Sequence, residues 1–380
     1  LSIMSEFASK PLERRSMQNF LQMATQAPHE RTRELHETLK VGLARCAMQL
    51  VEMPFGFCNA ASINKVSADY VQNFREVMEF EHRHGLQGLM SDEYHVLVKA
   101  ILDQHRGTML DVAKGVFEYV EDLQQVFGPD VALADVREHL GVIRDLENAL
   151  DQFFTDRLTL RLLISHVQTL PRGEADISSN KSGKPHAVGI VNANAEPITV
   201  LSQAFTAAQS MCRRDFNVAP ELLVNGVPPS EFMASITNQP TIAYVQTHLF
   251  YIFLELSKNA VRASIQKAQS EKPDLENEEL KVPPVRVVIP TSASGKVDRT
   301  VKLSDSGCGM NRSVLSKAFS YFYSSVKSRP KMAEQVSDFD QRVPLAGFGF
   351  GLPISRLMAR YFSGDIDVNS IPGAGTDVYV

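Results

Sequence analysis

Four short segments constrain this chain more than any other feature: ELSKNAVR at 255–262, DSGCGM at 305–310, GFGFGLPISR at 347–356 and GAGTD at 373–377. In this order and spacing they describe one pocket, built from a polar helix face, two glycine turns beside strands and a glycine-rich run that enters a helix. No G-x-x-x-x-G-K-S/T appears in the chain, and no H-R-D or D-F-G. The P-loop and the phosphate-binding scheme of the common protein kinases are thereby excluded.

A length of 380 residues predicts two domains, because single cores rarely grow past roughly 250–300 residues. A net charge of −5 argues against a nucleic-acid binder, which usually carries a basic excess. No apolar run approaches the ~18 residues needed to cross a bilayer, so membrane insertion is not expected. Cys46, Cys58, Cys212 and Cys308 are far apart, which suits neither a zinc site nor a disulfide framework and points to a reducing interior. Leu1 opens the chain where an initiating Met would stand, as expected where an N-terminal targeting segment has been removed.

Residues 13–170 read as helix after helix. Apolar residues recur at Val96, Ala100, Val112, Val116, Val120, Leu123 and Phe127, then at Leu133, Val136, Leu140, Ile143, Leu146, Leu150 and Phe153. Spacings of three and four paint one face of a helix, and long amphipathic helices joined by short turns predict a four-helix bundle. The expected domains are a helical one over 1–175 and a second over 186–380. The Gly-, Ser- and Pro-rich stretch PRGEADISSNKSGKPHA between them reads as a linker. In the second domain, strand-like runs at 187–191, 285–290, 300–304, 365–369 and 376–380 alternate with helices at 198–217, 244–268 and 353–362, an α/β sandwich. Residues 269–283 are charged and read as a solvated loop.

Glu255 and Asn259 lie four apart and so share a helix face. The carboxylate can accept a proton from an attacking nucleophile, and the amide oxygen suits Mg²⁺, a hard ion that prefers oxygen. Lys258 and Arg262, also four apart, can offset phosphate charge. Taken alone, the same helix reads first as a surface helix with ion pairs, since such pairs are common. Asp305 stands at a strand end, where it can accept a hydrogen bond from an adenine amino group, with Gly307 and Gly309 leaving room for a ligand; a plain β-turn is the alternative. GFGFGLPISR runs into a helix with Pro353 in its first turn, and a helix N-terminus offers amide hydrogens to phosphate. The polar segment 311–346 reads as a lid over a triphosphate.

Together, the Glu-x-x-x-Asn helix, Asp-x-Gly-x-Gly, Gly-x-Gly-x-Gly and Gly-Thr-Asp resemble the four boxes of the GHKL ATP-binding fold, shared by DNA gyrase, heat-shock protein 90, bacterial histidine kinases and MutL. More closely, PLAGFGFGLPISRLMARYFSGD at 344–365 and ELSKNAVRAS at 255–264 resemble the mitochondrial 2-oxo acid dehydrogenase kinases, of pyruvate or branched-chain type. The resemblance covers nearly the whole chain. It implies an N-terminal four-helix bundle followed by a GHKL α/β sandwich. The activity it implies is that of a protein serine kinase acting in the mitochondrial matrix, inactivating its complex by phosphorylating the E1α subunit. It also implies a homodimer docked on the lipoyl domain of E2 through the bundle, ATP and Mg²⁺ as cofactors, and K⁺ as a further candidate. Carried over by position, Glu255 is the general base and Asn259 the Mg²⁺ ligand. Lys258, Arg262, Asp305, Gly307, Gly309, Ser324, Ser325, Gly347, Phe348, Gly349, Phe350, Gly351, Leu352 and Thr376 join them around ATP.

Ser306 and Cys308 depart from the Arg and Gly usual in the family's second box. Tyr251 stands where pyruvate-type kinases carry His and branched-chain kinases carry Tyr. PFGFCN and residues 94–106 lean to the branched-chain type, whereas PLAG and GLPISR lean to the pyruvate type, which is slightly favoured. A histidine kinase and an ATP-gated clamp are the alternatives. The first needs a phosphoacceptor His followed by an acidic residue, and only His29–Glu30 fits. The second places its ATP fold first, whereas here it follows the bundle.

Overall fold

The computed structural model describes residues 2–127, 142–171, 187–236, 240–290, 300–323 and 349–380. The described chain divides into two compact units, one ending at Val191 and the other beginning at Asn192.

The first unit is helical: α1 (Ser2–Ala8), α2 (Met17–Met23), α3 (Pro28–Val51), α4 (Ala61–His84), α5 (Asp92–Gln104), α6 (Thr108–Phe127) and α7 (Val142–Thr169). Ser16 caps α2, trading hydrogen bonds with Asn19 in a capping box, and Ser91 caps α5 through the Tyr94 N–H at 3.2 Å. The long helices pair as α3 with α4, α3 with α7, and α4 with α6. Leu35, Leu39, Leu43 and Leu50 of α3 and Ile63, Tyr70 and Val77 of α4 lie in the core, all fully buried or nearly so. From α7, Asp156 is buried, and it accepts from Arg45 Nε and Gln49 Nε2, both at 2.8 Å. A buried carboxylate survives because it is paired and hydrogen-bonded.

The expected apolar face of α5 is out of phase with the structure. Val96 is 67% exposed, while Tyr94, Val98 and Ile101 face inward. A 3₁₀ turn at His105–Gly107 separates α5 from α6, so one helical phase does not extend across 92–127. In α6 the expected Val112 and Val116 are buried. Leu133, Val136 and Leu140 lie outside the described residues.

The expected strand at 187–191 is two short strands, β1 (Ala187–Val188) and β2 (Val191–Ala195), split by a turn. Beyond them come α8 (Pro197–Phe216), β3 (Leu222–Val224), α9 (Pro229–Ser235), β4 (Ile242–Val245), α10 (Gln246–Glu271), β5 (Val285–Val288) and β6 (Lys302–Asp305). The chain then forms α11 (Arg312–Leu315), α12 (Gly351–Tyr361), β7 (Asp367–Ile371) and β8 (Gly375–Tyr379). A five-stranded sheet runs β3-β5-β6-β8-β7, with β3 and β5 parallel and the remaining pairs antiparallel. Helix α10 packs on α8, α12, β6 and β8, making a helical layer over one sheet face. In β5, Val285 and Val287 are buried while Arg286 and Val288 point to solvent, the alternation of a one-sided sheet. The architecture is thus a helical unit followed by an α/β sandwich.

Candidate active site

Helix α10 carries no Gly or Pro, so nothing in its sequence breaks it before Glu271. Leu249, Ile252, Leu256, Val261 and Ile265 anchor it in the core. Glu255, Asn259, Arg262 and Gln266, spaced four, three and four apart, form a second face that lines a cavity of about 280 Å³. Burial lowers the pKa of Arg262 from its ordinary value, yet a guanidinium stays protonated in proteins. The face therefore presents a carboxylate, an amide and a cation in succession.

Opposite this face lies the β6–β8 pair, whose register sets Asp305 directly across from Thr376. Both line the cavity. Asp305 Oδ1 accepts the Gly307 N–H at 2.8 Å. Burial pushes the Asp305 carboxyl up to about 6, against the opposing hydrogen bonds from Gly307 and Thr376. Ser370 on β7 braces the same corner: its Oγ accepts the Met310 N–H at 2.7 Å and lies 2.8 Å from Thr376 Oγ1. Gly309 has φ +66, and a Cβ there would strike the Ile371 carbonyl oxygen. Only glycine suits that position.

The third wall is the N-terminus of α12, which contributes Gly349, Gly351 and Leu352. A Cβ on Gly351 would run into Glu255 Oε2, so glycine at 351 is what allows helix and carboxylate to approach. Asp365, just past α12, accepts from Arg356 Nε at 2.8 Å and from Arg360 Nε at 3.0 Å. These guanidiniums hold its carboxyl well below the usual range against the cost of desolvation.

Nine expected site residues line the cavity: Glu255, Asn259, Arg262, Asp305, Gly309, Gly349, Gly351, Leu352 and Thr376. Three do not. Lys258 is 4% exposed and its Nζ donates to Glu255 Oε1 at 2.9 Å. Gly307 packs against the Ala263 backbone, and Phe350 is buried with its ring 5.1 Å from that of Tyr321. Ser324, Ser325, Gly347 and Phe348 lie outside the described residues, as does the expected lid beyond Tyr323.

The sequence reading missed the apolar lining: Leu303, Met310, Val314, Ala318, Tyr323, Val368 and Val378, with Cys308 beside them. Gln266 was also missed, although it follows Arg262 by the same four-residue step that joins Glu255 to Asn259.

The donor set fits a magnesium nucleotide. Two hard oxygen donors sit one helical turn apart, an arginine follows, and the Asp305 carboxylate lies beside the apolar side chains of Leu303, Met310, Val368 and Val378. A different cluster, His36, Glu37 and Glu81 in the first unit, brings ligand-type atoms together. There the Lys40 ammonium lies 3.0 Å from Glu37 Oε1 and 2.9 Å from Glu81 Oε2, so the cation is already supplied by the chain. The histidines bear on the phosphoacceptor alternative. His105 is buried, driven down to about 3 by desolvation and by Arg157 and Arg161, and His166 is fully buried. His29, in the first turn of α3, is exposed.

Two family models match the chain. One, described as mitochondrial branched-chain alpha-ketoacid dehydrogenase kinase, covers residues 11–192. The other, histidine kinase-, DNA gyrase B-, and HSP90-like ATPase, covers 244–380 and so contains every cavity residue named above. The chain is 30% identical over 379 residues to pyruvate dehydrogenase (acetyl-transferring) kinase isozyme 3, mitochondrial, of Mus musculus, spanning 99% of this chain and 81% of the relative. It is also 30% identical over 381 residues to the corresponding mitochondrial kinase of Arabidopsis thaliana, spanning 100% and 88%. Isozyme 4 of Homo sapiens is 30% identical over 384 residues, spanning 99% and 82%.

Proposed function

The chain belongs to the family of mitochondrial 2-oxo acid dehydrogenase kinases, and from that premise we propose that it is an ATP-dependent protein serine kinase that phosphorylates, and so inactivates, the E1α subunit of such a complex. The relatives are named as pyruvate dehydrogenase kinases and as mitochondrial, which favours pyruvate dehydrogenase as target and the mitochondrion as location. The match of residues 11–192 to the branched-chain kinase model keeps the branched-chain complex as the second substrate to test.

One observation carries the reading: Glu255 and Asn259 open on the same cavity as Asp305 and the α12 N-terminus. Asp305 accepts the adenine amino group while Leu303, Met310, Val368 and Val378 cover the base. Arg262 and the first-turn amides of α12 hold phosphate oxygens. The Asn259 amide oxygen would hold Mg²⁺, which when bound would neutralise charge on the phosphates. Glu255 accepts the proton of the substrate serine as its oxygen bonds to the γ-phosphorus and the bond from that phosphorus to ADP breaks. Little covalent help is needed from the protein, so positioning and charge carry the rate.

In this reading the helical domain over 1–175 docks the lipoyl domain of E2, the domain over 186–380 carries catalysis, and two copies form the working kinase. The match of residues 11–192 to the branched-chain kinase model supports a place for the helical unit in such a kinase. Among the described residues no helix is long and apolar enough to cross a membrane. The test is incubation with Mg-ATP and each purified E1, with and without lipoylated E2. Phosphoserine on E1α with loss of E1 activity is expected, and no transfer to either E1 contradicts the proposal.

A further inference from the structure

Lys258 departs from the role its position suggests. It sits on α10 between Glu255 and Arg262, as a residue reaching for phosphate would. Yet it is 4% exposed and does not line the cavity. Its ammonium donates to Glu255 Oε1 at 2.9 Å, and the carboxylate side chain is itself only 14% exposed. The other oxygen, Oε2, is turned toward Gly351 at the α12 N-terminus, and both Glu255 and Gly351 line the cavity. The two carboxylate oxygens are thus divided between an ammonium behind the wall and the space in front of it.

Burying an ammonium is costly, and a buried ion pair often returns no more than it costs. Stability alone is therefore a weak reason for this lysine. A proton acceptor gains more from it. Glu has three side-chain torsions, and an acceptor must lie within hydrogen-bond reach of the proton it takes. A fixed donor on Oε1 removes the alternative rotamers and keeps Oε2 aimed at the reacting hydroxyl.

We propose that Lys258 is a positioning residue for phosphotransfer: it clamps Glu255 through Oε1, leaves Oε2 as the oxygen that takes the serine proton, and makes no contact with nucleotide phosphate. The inference rests on the kinase reading above and on Glu255 as its base.

The experiment uses the full chain as Lys258→Ala and Lys258→Met, with folding followed by circular dichroism, affinity by calorimetry with Mg-ADP, and kcat on purified E1. Lys258→Met keeps the apolar stem and so guards against a packing defect in Lys258→Ala. Both variants are expected to bind Mg-ADP within about threefold of the parent while kcat falls about 10²-fold, the scale of a misplaced reacting group. Propylamine, the fragment that Lys258→Ala lacks, is expected to restore roughly tenfold of kcat there and nothing in Lys258→Met. Unchanged kcat overturns the proposal. So does a loss of Mg-ADP affinity of about tenfold or more (~1.4 kcal/mol), which would place Lys258 on phosphate. A kcat loss that propylamine leaves untouched overturns it as well, assigning the effect to packing. Glu255→Gln in parallel separates the two levels. Retained activity there sinks the base assignment itself, whereas an inactive Glu255→Gln beside a fully active Lys258→Ala sinks only the clamp.

Discussion

Glu255 Oε2 occupies the space that a Cβ on residue 351 would need. The approach joins a helix in the middle of the sandwich to the first turn of another nearly a hundred residues later. It makes a glycine in a loop-like motif part of the geometry of the cavity wall.

Gly351→Ala should lower both stability and activity. At the first position of α12 the helical gain from alanine is small, while the added methyl must push aside a carboxylate that is mostly buried and paired with Lys258, so the melting temperature should fall. The added methyl displaces the carboxylate, and kcat on E1 should fall about 10²-fold. Melting curves and steady-state kinetics on the same preparation check both.

Asp305 sits at a cost. Its folded value of about 6 lies above the ordinary 3.8, with burial as the first cause. The native state thus binds this proton more tightly than the unfolded chain does, and its contribution to stability declines as pH rises from about 4 to about 6. Asp305→Asn should relieve up to ~3 kcal/mol at neutral pH. The nucleotide-free variant should melt higher than the parent at pH 7, with the gap closing below pH 4. Nucleotide binding should be lost in the variant, and in the parent it should weaken as pH drops below about 6.

Asn259→Ala tests the metal ligand. Parent affinity for ADP should be higher with Mg²⁺ than with excess chelator, and the variant should show little difference between the two. Calorimetry in both buffers gives the answer, and an undiminished magnesium effect would remove Asn259 from that role.

Ser370→Ala leaves the Met310 N–H without its acceptor and Thr376 without its neighbour. The expected cost is about 1 kcal/mol of stability, read from the urea midpoint, together with a several-fold loss of nucleotide affinity.

Much of this site was legible because helices repeat. The steps from Glu255 to Asn259 and Arg262 placed one cavity wall, and the three-and-four spacing from Leu146 to Phe153 placed a bundle helix. Register across a sheet carries no such signal: nothing in the sequence pairs Asp305 with Thr376, which only the β6–β8 ladder aligns. Burial is likewise set by packing, so Lys258 looked like a phosphate ligand by its spacing from Arg262. Val96 shows the limit of periodicity itself, since the turn at His105–Gly107 shifts the helical phase between α5 and α6. Short strands such as Leu222–Val224 are too brief to show an alternation at all.

The central claim is that Glu255 takes the proton of the substrate serine. Glu255→Ala, given Mg-ATP and purified E1, is the direct measurement. The account predicts that nucleotide binding survives while serine phosphorylation of E1α disappears. Phosphorylation continuing at the parent rate would contradict it.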